Sequence, residues 1–237
     1  MSDALTPELL IAVEAGDLEA LVRFDASAME FHHRAPREVA WWRDSAAVRL
    51  TYQDDAVLGD EQTERGLLKG VHDSFAGHGA GLIEGAIIEP PLLAGERVLY
   101  LVAKVFRGEE GMVYMAMLRI PLVSGGFDVT VQSADRLMTG EREAAVLRGR
   151  APRSRGIAAL AGRATESAWI TDLFGSGGSD PWLPNQADDA GYDNGFPSHP
   201  LSVARRVCAG ITASLTLSPI CLNALRRHLP DPASGWV

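Results

Sequence analysis

Between Arg97 and Arg150 the apolar and polar positions change rhythm several times, and each change predicts an element. Val98 to Phe106 is apolar on both faces, the pattern of an interior strand, and Met112 to Ile120 repeats it after the turn Arg107-Gly-Glu-Glu-Gly111. Phe127, Val129 and Val131 then alternate with Asp128, Thr130 and Gln132, which predicts a strand with one wet face. Thr139 is placed to cap a following helix. Glu141 and Glu143 fall in its first turn and Arg148 and Arg150 at its end, the order the helix dipole favours.

Upstream, Thr6-Pro7-Glu8 has the hydroxyl, proline and acid of a helix start. Leu9, Leu10 and Val13 give that helix an apolar side, Gly16 stops it, and Asp17 can cap a second one carrying Leu18, Leu21 and Val22, so residues 6–24 read as a helical hairpin. Met29 to Phe31 and Ala47 to Tyr52 read as strands. Leu67, Leu68, Val71 and Phe75 follow helical spacing, which predicts a helix over 60–76 ended by Gly77-His-Gly-Ala-Gly81, and 81–89 is a further strand before Pro90-Pro91.

The order helix, strands, helix, strands, helix predicts an α+β fold with an antiparallel β-sheet flanked by helices. Three regions are expected: an N-terminal helical hairpin (1–27), an α+β sheet domain (28–150), and a long irregular and helical C-terminal extension (151–237). Residues 173–200 are rich in Gly, Ser, Asp, Asn and Pro, yet Phe174, Trp182, Leu183, Tyr192 and Phe196 are bulky groups that must dock somewhere. Helical spacing resumes with Leu201, Ala204, Cys208, Ile211 and Leu215, breaks at Ser218-Pro219, and ends in a short helix to Arg227 or His228.

Charge narrows the partners. The 237 residues carry a formal net charge of −9, with 12 basic and 22 acidic side chains in the first 140 residues and near-neutrality after them. This disfavours nucleic acid and anionic membranes. Arg148, Arg150, Arg153, Arg155 and Arg163 form a basic run with no interleaved aromatic before Trp169 and read as a solvated linker. Arginine outnumbers lysine twenty to two, an association with GC-rich bacterial genomes. Cys208 and Cys221 are not at metal-ligand spacing and read as reduced thiols, with one disulfide as the alternative. The N-terminal residues lack the pattern of an export signal, and no apolar run is long enough to span a bilayer, so a cytoplasmic protein is expected.

Motifs for chemistry are sparse. Gly77-His-Gly-Ala-Gly81 lacks the Lys-Ser/Thr of a phosphate loop and follows a helix, so it reads as a terminator. His32 and His33 are adjacent, so in a strand they point to opposite faces and cannot bind one metal together. Asp188, Asp189, Asp193 and Asn194 fail the spacing of a calcium loop and read as a solvated turn. No catalytic residue, metal or cofactor is assigned. Tyr192 to Arg206 is the most specific segment. Pro197 and Pro200 stiffen the approach to a helix, Ser198 or His199 serves at its start, and Arg205 and Arg206 are expected on its solvent side. It is read as an anchor strapping the extension to its own sheet, or as a recognition arm for another chain.

Tyr114 to Pro121, Val129 to Gln132, Thr139 to Val146 and the Tyr192 to Arg206 segment together resemble uncharacterised bacterial proteins with a Mog1/PsbP-like core. The resemblance implies an antiparallel sheet flanked by helices and used for binding proteins or apolar segments. It supplies no catalytic motif, and the long extension departs from the compact form. The expected function is a non-enzymatic protein-interaction module, acting as an adaptor, a secretion-associated chaperone or an immunity-type protein. Another protein is the expected partner, with Phe174, Trp182, Tyr192, Phe196, His199, Arg205 and Arg206 as the binding residues. The alternatives are a hydrolase with a His/acid site and a structural subunit of a larger assembly that uses the extension as an arm.

Overall fold

The structure, a computed structural model, describes residues 7–54, 63–108, 111–135, 140–149, 174, 183–225 and 229. It is an α+β fold. Seven antiparallel strands run in the order β2-β3-β4-β8-β7-β6-β5: β2 (Glu30–Ala35), β3 (Glu38–Arg43), β4 (Ala46–Gln53), β5 (Ala80–Ile88), β6 (Val98–Phe106), β7 (Met112–Pro121) and β8 (Gly126–Asp135). A second sheet pairs β1 (Val22–Arg23) with β9 (Thr216–Leu217).

The period-two pattern sets the faces. Phe127, Val129 and Val131 of β8, Val48 and Leu50 of β4, and Ala116, Leu118 and Ile120 of β7 point into the larger apolar cluster. There they meet α1 (Pro7–Glu14), α2 (Leu18–Leu21), α5 (Pro200–Ser214) and α6 (Pro219–Ala224) through Leu9, Val13, Leu18, Leu21, Leu201, Ala204, Val207, Cys208, Ile211 and Cys221. The opposite face is covered over β5 and β6 by α3 (Glu64–Gly77), where Leu67, Leu68 and Val71 pack on Leu82, Leu99 and Leu101. Thr63 caps α3 by accepting from the Gly66 N–H at 3.1 Å. Gly85 lets the helix come close, because a Cβ there would lie 2.5 Å from Leu68 Cδ2.

The N-terminal hairpin and the extension are stitched together, since β1 pairs β9 and the Ser218 N–H donates to the Leu21 carbonyl at 2.9 Å. The extension then returns to the β7–β8 turn, where Val123 N–H donates to the Ala224 carbonyl at 2.9 Å. Gly125 is required in that turn: its φ is +74°, and a Cβ there would lie 2.5 Å from the Gln53 carbonyl oxygen.

Several sequence expectations change. β3 was not expected, because its flanking turns put Arg37 and Asp44, not glycine, at positive φ (63° and 54°) and so carry no hairpin signal. The helix after β8, α4 (Glu141–Leu147), is shorter than expected and starts behind a left-handed Gly140; Thr139 and Arg150 lie outside the described residues. Asp17 makes no side-chain cap to α2. The last helix ends at Ala224, and its expected continuation over 226–228 lies outside the described residues, as do Thr6, 60–62 and the basic run from Arg150 to Arg163.

Candidate binding cleft and the charge cluster behind it

The segment before α5 is built from two short 3-10 turns, Gln186–Asp188 and Ala190–Gly195, each started by an Asx cap: Asn185 accepts from the Ala187 N–H at 2.9 Å and Asp189 from the Gly191 N–H at 2.7 Å. His199 starts α5 by accepting from the Leu201 N–H through Nδ1 at 3.2 Å, with Pro200 in the first turn. Tyr192 and Ala187 pack with Val146 of α4, Phe196 lying against them, in a small apolar cluster. These contacts fix the segment as a strap across the end of the sheet.

Behind the strap lies a balanced set of charges, in which Lys104, Arg142, Asp188 and Arg205 are buried and Glu84 and Asp193 half-buried. Lys104 Nζ donates to Asp188 Oδ2 at 2.6 Å, with side chains only 2% and 3% exposed. Arg142, 1% exposed, donates through Nε to the Ala187 carbonyl (2.5 Å), through Nη1 to Asp193 Oδ1 (2.9 Å) and Ser202 Oγ (2.8 Å), and through Nη2 to the Asp189 carbonyl (2.9 Å). Arg205 donates to Asp193 Oδ1 at 3.1 Å, to the Asp188 carbonyl at 2.6 Å and to Glu84 of β5. Three cations thus meet three carboxylates drawn from β5, β6, α4, α5 and the strap. Burial pushes the Glu84 carboxyl up even though Arg205 pulls it down. The buried side-chain polar atoms left without a hydrogen bond among the described residues, Asp188 Oδ1, Arg205 Nε and His199 Nε2, all belong to this region.

Against the strap opens a cleft of about 830 Å³, within the range of ligand sites. One wall is the end of the sheet, with Trp42, Arg49, Gln132 and Asp135; Arg107 stands beside it; α4 supplies Glu141 and Arg142; Phe196, Ser198 and His199 close it. Trp42 is 41% exposed. Arg49, Arg107, Asp135 and Glu141 make no side-chain ion pair among the described residues, so both signs of charge are free to be met by a ligand.

His199 shows what chemistry the cleft can do. Burial, with Arg142 adding to it, lowers its pKa to about 4, so the ring is neutral near pH 7. Its Nδ1 lone pair is engaged by the Leu201 N–H, which places the proton on Nε2. Such a ring is a donor and has no lone pair left to act as a base. Its nearest carboxylate oxygen, Glu143 Oε1, is 3.9 Å away, and Tyr114, whose ring meets His199 edge-on at 5.1 Å, donates to the same oxygen at 3.4 Å. Ser202, a buried hydroxyl of α5, is held by Arg142 and Asp193.

The residues expected to bind a partner fall in different places. Tyr192 and Arg205 are internal, and His199 is half-buried at the cleft; Arg205 does not lie on the solvent side of α5, since the Asp188 carbonyl, Asp193 and Glu84 enclose it. Arg206 is exposed, as expected, and donates to the Pro197 carbonyl at 2.8 Å. Phe174 is elsewhere, half-buried near α3 with its ring 5.0 Å from His72. Trp182 lies outside the described residues. The aspartates read as a solvated turn instead cap the strap and neutralise buried cations. Sequence reasoning missed Lys104, Arg142, Glu84 and Trp42; a lone lysine inside an apolar strand was the one available signal.

Cys208 and Cys221 are both free and buried, and burial pushes the Cys208 thiol up to about 12. Among the described residues no helix is long and apolar enough to cross a membrane, and no group of three or more His, Cys, Asp or Glu within the chain could hold a metal ion. Compared with known proteins, the chain matches no family model and no curated sequence.

Proposed function

We propose that this is a non-enzymatic protein-interaction module in which a segment of a partner protein enters the cleft, while the extension serves as an internal strap forming one wall. The observation that carries the reading is the cleft's composition. An exposed indole, with two guanidinium groups and two carboxylates that make no ion pair among the described residues, suits a polar chain segment with apolar side groups. The His199 Nδ1 lone pair and the Ser202 hydroxyl are already engaged by the fold. The proposal keeps the kinship with the Mog1/PsbP-like proteins, on the sequence motifs given above, and a cytoplasmic setting, which the two free thiols support.

A photo-crosslinking residue at position 42, compared with one at the exposed Leu92, tests this in cells that make the protein. A defined partner captured at 42 and lost in the Arg49→Glu/Arg107→Glu variant is the expected result. Equal capture at both positions, or hydrolytic turnover abolished by His199→Asn, would overturn it.

A further inference from the structure

On a regular strand His32 and His33 would face opposite ways. Instead, the pairing of β2 with β3 slips between Phe31 and His33, an irregularity that re-aims side chains. The two rings come together, their centroids 5.1 Å apart at 78°. Two imidazoles bound to one tetrahedral zinc through nitrogens ~2.1 Å from the metal hold their ring centroids about 5 Å apart. The observed separation meets that distance.

The surroundings fit that use. His33 Nε2 lies 2.8 Å from Glu38 Oε1, so the carboxylate holds the proton on Nε2 and leaves the Nδ1 lone pair for a metal, the usual support of a ligating histidine. His32 is exposed beside Trp42, ring to ring at 5.6 Å.

One chain offers two such nitrogens, and a closed zinc site needs four ligands. Among the described residues β2 is an edge strand of the sheet, and all six of its residues are exposed or half-buried. A second copy pairing antiparallel about a two-fold axis between His32 and His33 sets His32 of each copy opposite His33 of the other. The same register sets Phe31 opposite Arg34, repeating the contact each chain makes within itself, where the Arg34 guanidinium lies 6.0 Å from the Phe31 ring centre. Edge pairing then supplies main-chain hydrogen bonds, and four imidazoles complete the set. We propose that the β2 edge is a metal-dependent homodimerisation site, in which His32 and His33 of two copies together hold one imidazole-preferring divalent metal ion of the zinc class.

Zinc titrated into the chelator-treated full chain tests the site. The mass by sedimentation should rise from 25.4 kDa to twice that value, complete at one zinc per two chains and reversed by EDTA. Cobalt(II) in place of zinc should give the visible absorption of a tetrahedral nitrogen site. His32→Ala and His33→Ala should each abolish the zinc-dependent doubling with the circular dichroism unchanged. Glu38→Gln should weaken zinc binding by roughly 10–100-fold, and His78→Ala, at the exposed end of α3, should change nothing. A mass that stays at 25.4 kDa in saturating zinc, a doubling that survives both histidine variants, or a dimer formed without metal would each overturn the proposal.

Discussion

The seven-stranded sheet and the strap across its end are held by different physics. In the sheet, Val48, Leu50, Ala116, Leu118, Ile120, Phe127, Val129 and Val131 are all fully buried apolar groups, and any of several residues of similar volume would serve at each position. The strap is held by Lys104 on Asp188, by Arg142 on Asp193 and the Ala187 and Asp189 carbonyls, and by Arg205 on Asp193 and the Asp188 carbonyl, a shared set in which losing one member leaves buried charge short of a partner. Apolar burial is forgiving in identity, and a buried ion cluster is specific in register. The wall of the cleft is therefore fixed where charges meet, and the sheet behind it tolerates change.

The sharpest break is Arg142→Ala. It removes three hydrogen bonds to the strap and one to Ser202 of α5, and should cost about 3–5 kcal/mol. Phe127→Ala should cost a similar amount through a cavity. Hydrogen exchange separates the two: the arginine variant should release the amides of 186–195 while β7 and β8 stay protected, and the phenylalanine variant should lower protection throughout.

Lys104→Met should cost about 3 kcal/mol by stranding the Asp188 carboxylate, and adding Asp188→Asn, which keeps an acceptor for the Asn185 N–H, should recover most of it. Chemical denaturation of the single and double variants checks this. A double variant no more stable than the single would mean that the charges themselves are needed.

His199 gives a pH-dependent contrast. Its folded pKa is about 4 against 6.5 for the free ring, so protons favour the unfolded chain between these values. Its contribution, about 2–3 kcal/mol after allowing for relaxation, is complete above pH 6.5 and lost as the pH falls toward 4. Glu84 acts oppositely: with its folded pKa raised, it favours the folded state as the pH falls through that pKa. Thermal melts should lose stability on acidification through this window, and His199→Gln should flatten the loss.

The smallest effect belongs to Lys69→Ala on α3. The Lys69–Asp73 pair, at 2.6 Å, is more than half exposed on both sides, and its loss should barely move the denaturation midpoint. A cost as large as that of Lys104→Met would remove the distinction between exposed and buried pairs.

The same contrast governs what could be read in advance. β5, β6, β7 and β8 stand close to where alternation and apolar runs placed them, and α5 carries the expected stripe of Leu201, Ala204, Cys208 and Ile211. β3 escaped notice because its turns use Arg37 and Asp44 in place of glycine. Arg142 was hidden because a basic residue in a first helical turn looks like surface, and its partners Ala187, Asp189, Asp193 and Ser202 are supplied by a remote part of the chain. Trp42 was hidden with β3, and the meeting of His32 with His33 depends on a slip in strand pairing that leaves no local mark.

By itself the sequence determined the α+β class, the antiparallel ribbons and the apolar faces, because periods of 2 and about 3.6 residues are local properties that any short window contains. Only the tertiary structure decided which charges pair, which histidines meet and where the cleft opens. Those pairings join residues 51, 84 and 121 positions apart, and opposite charges carry no register until packing has removed the water between them.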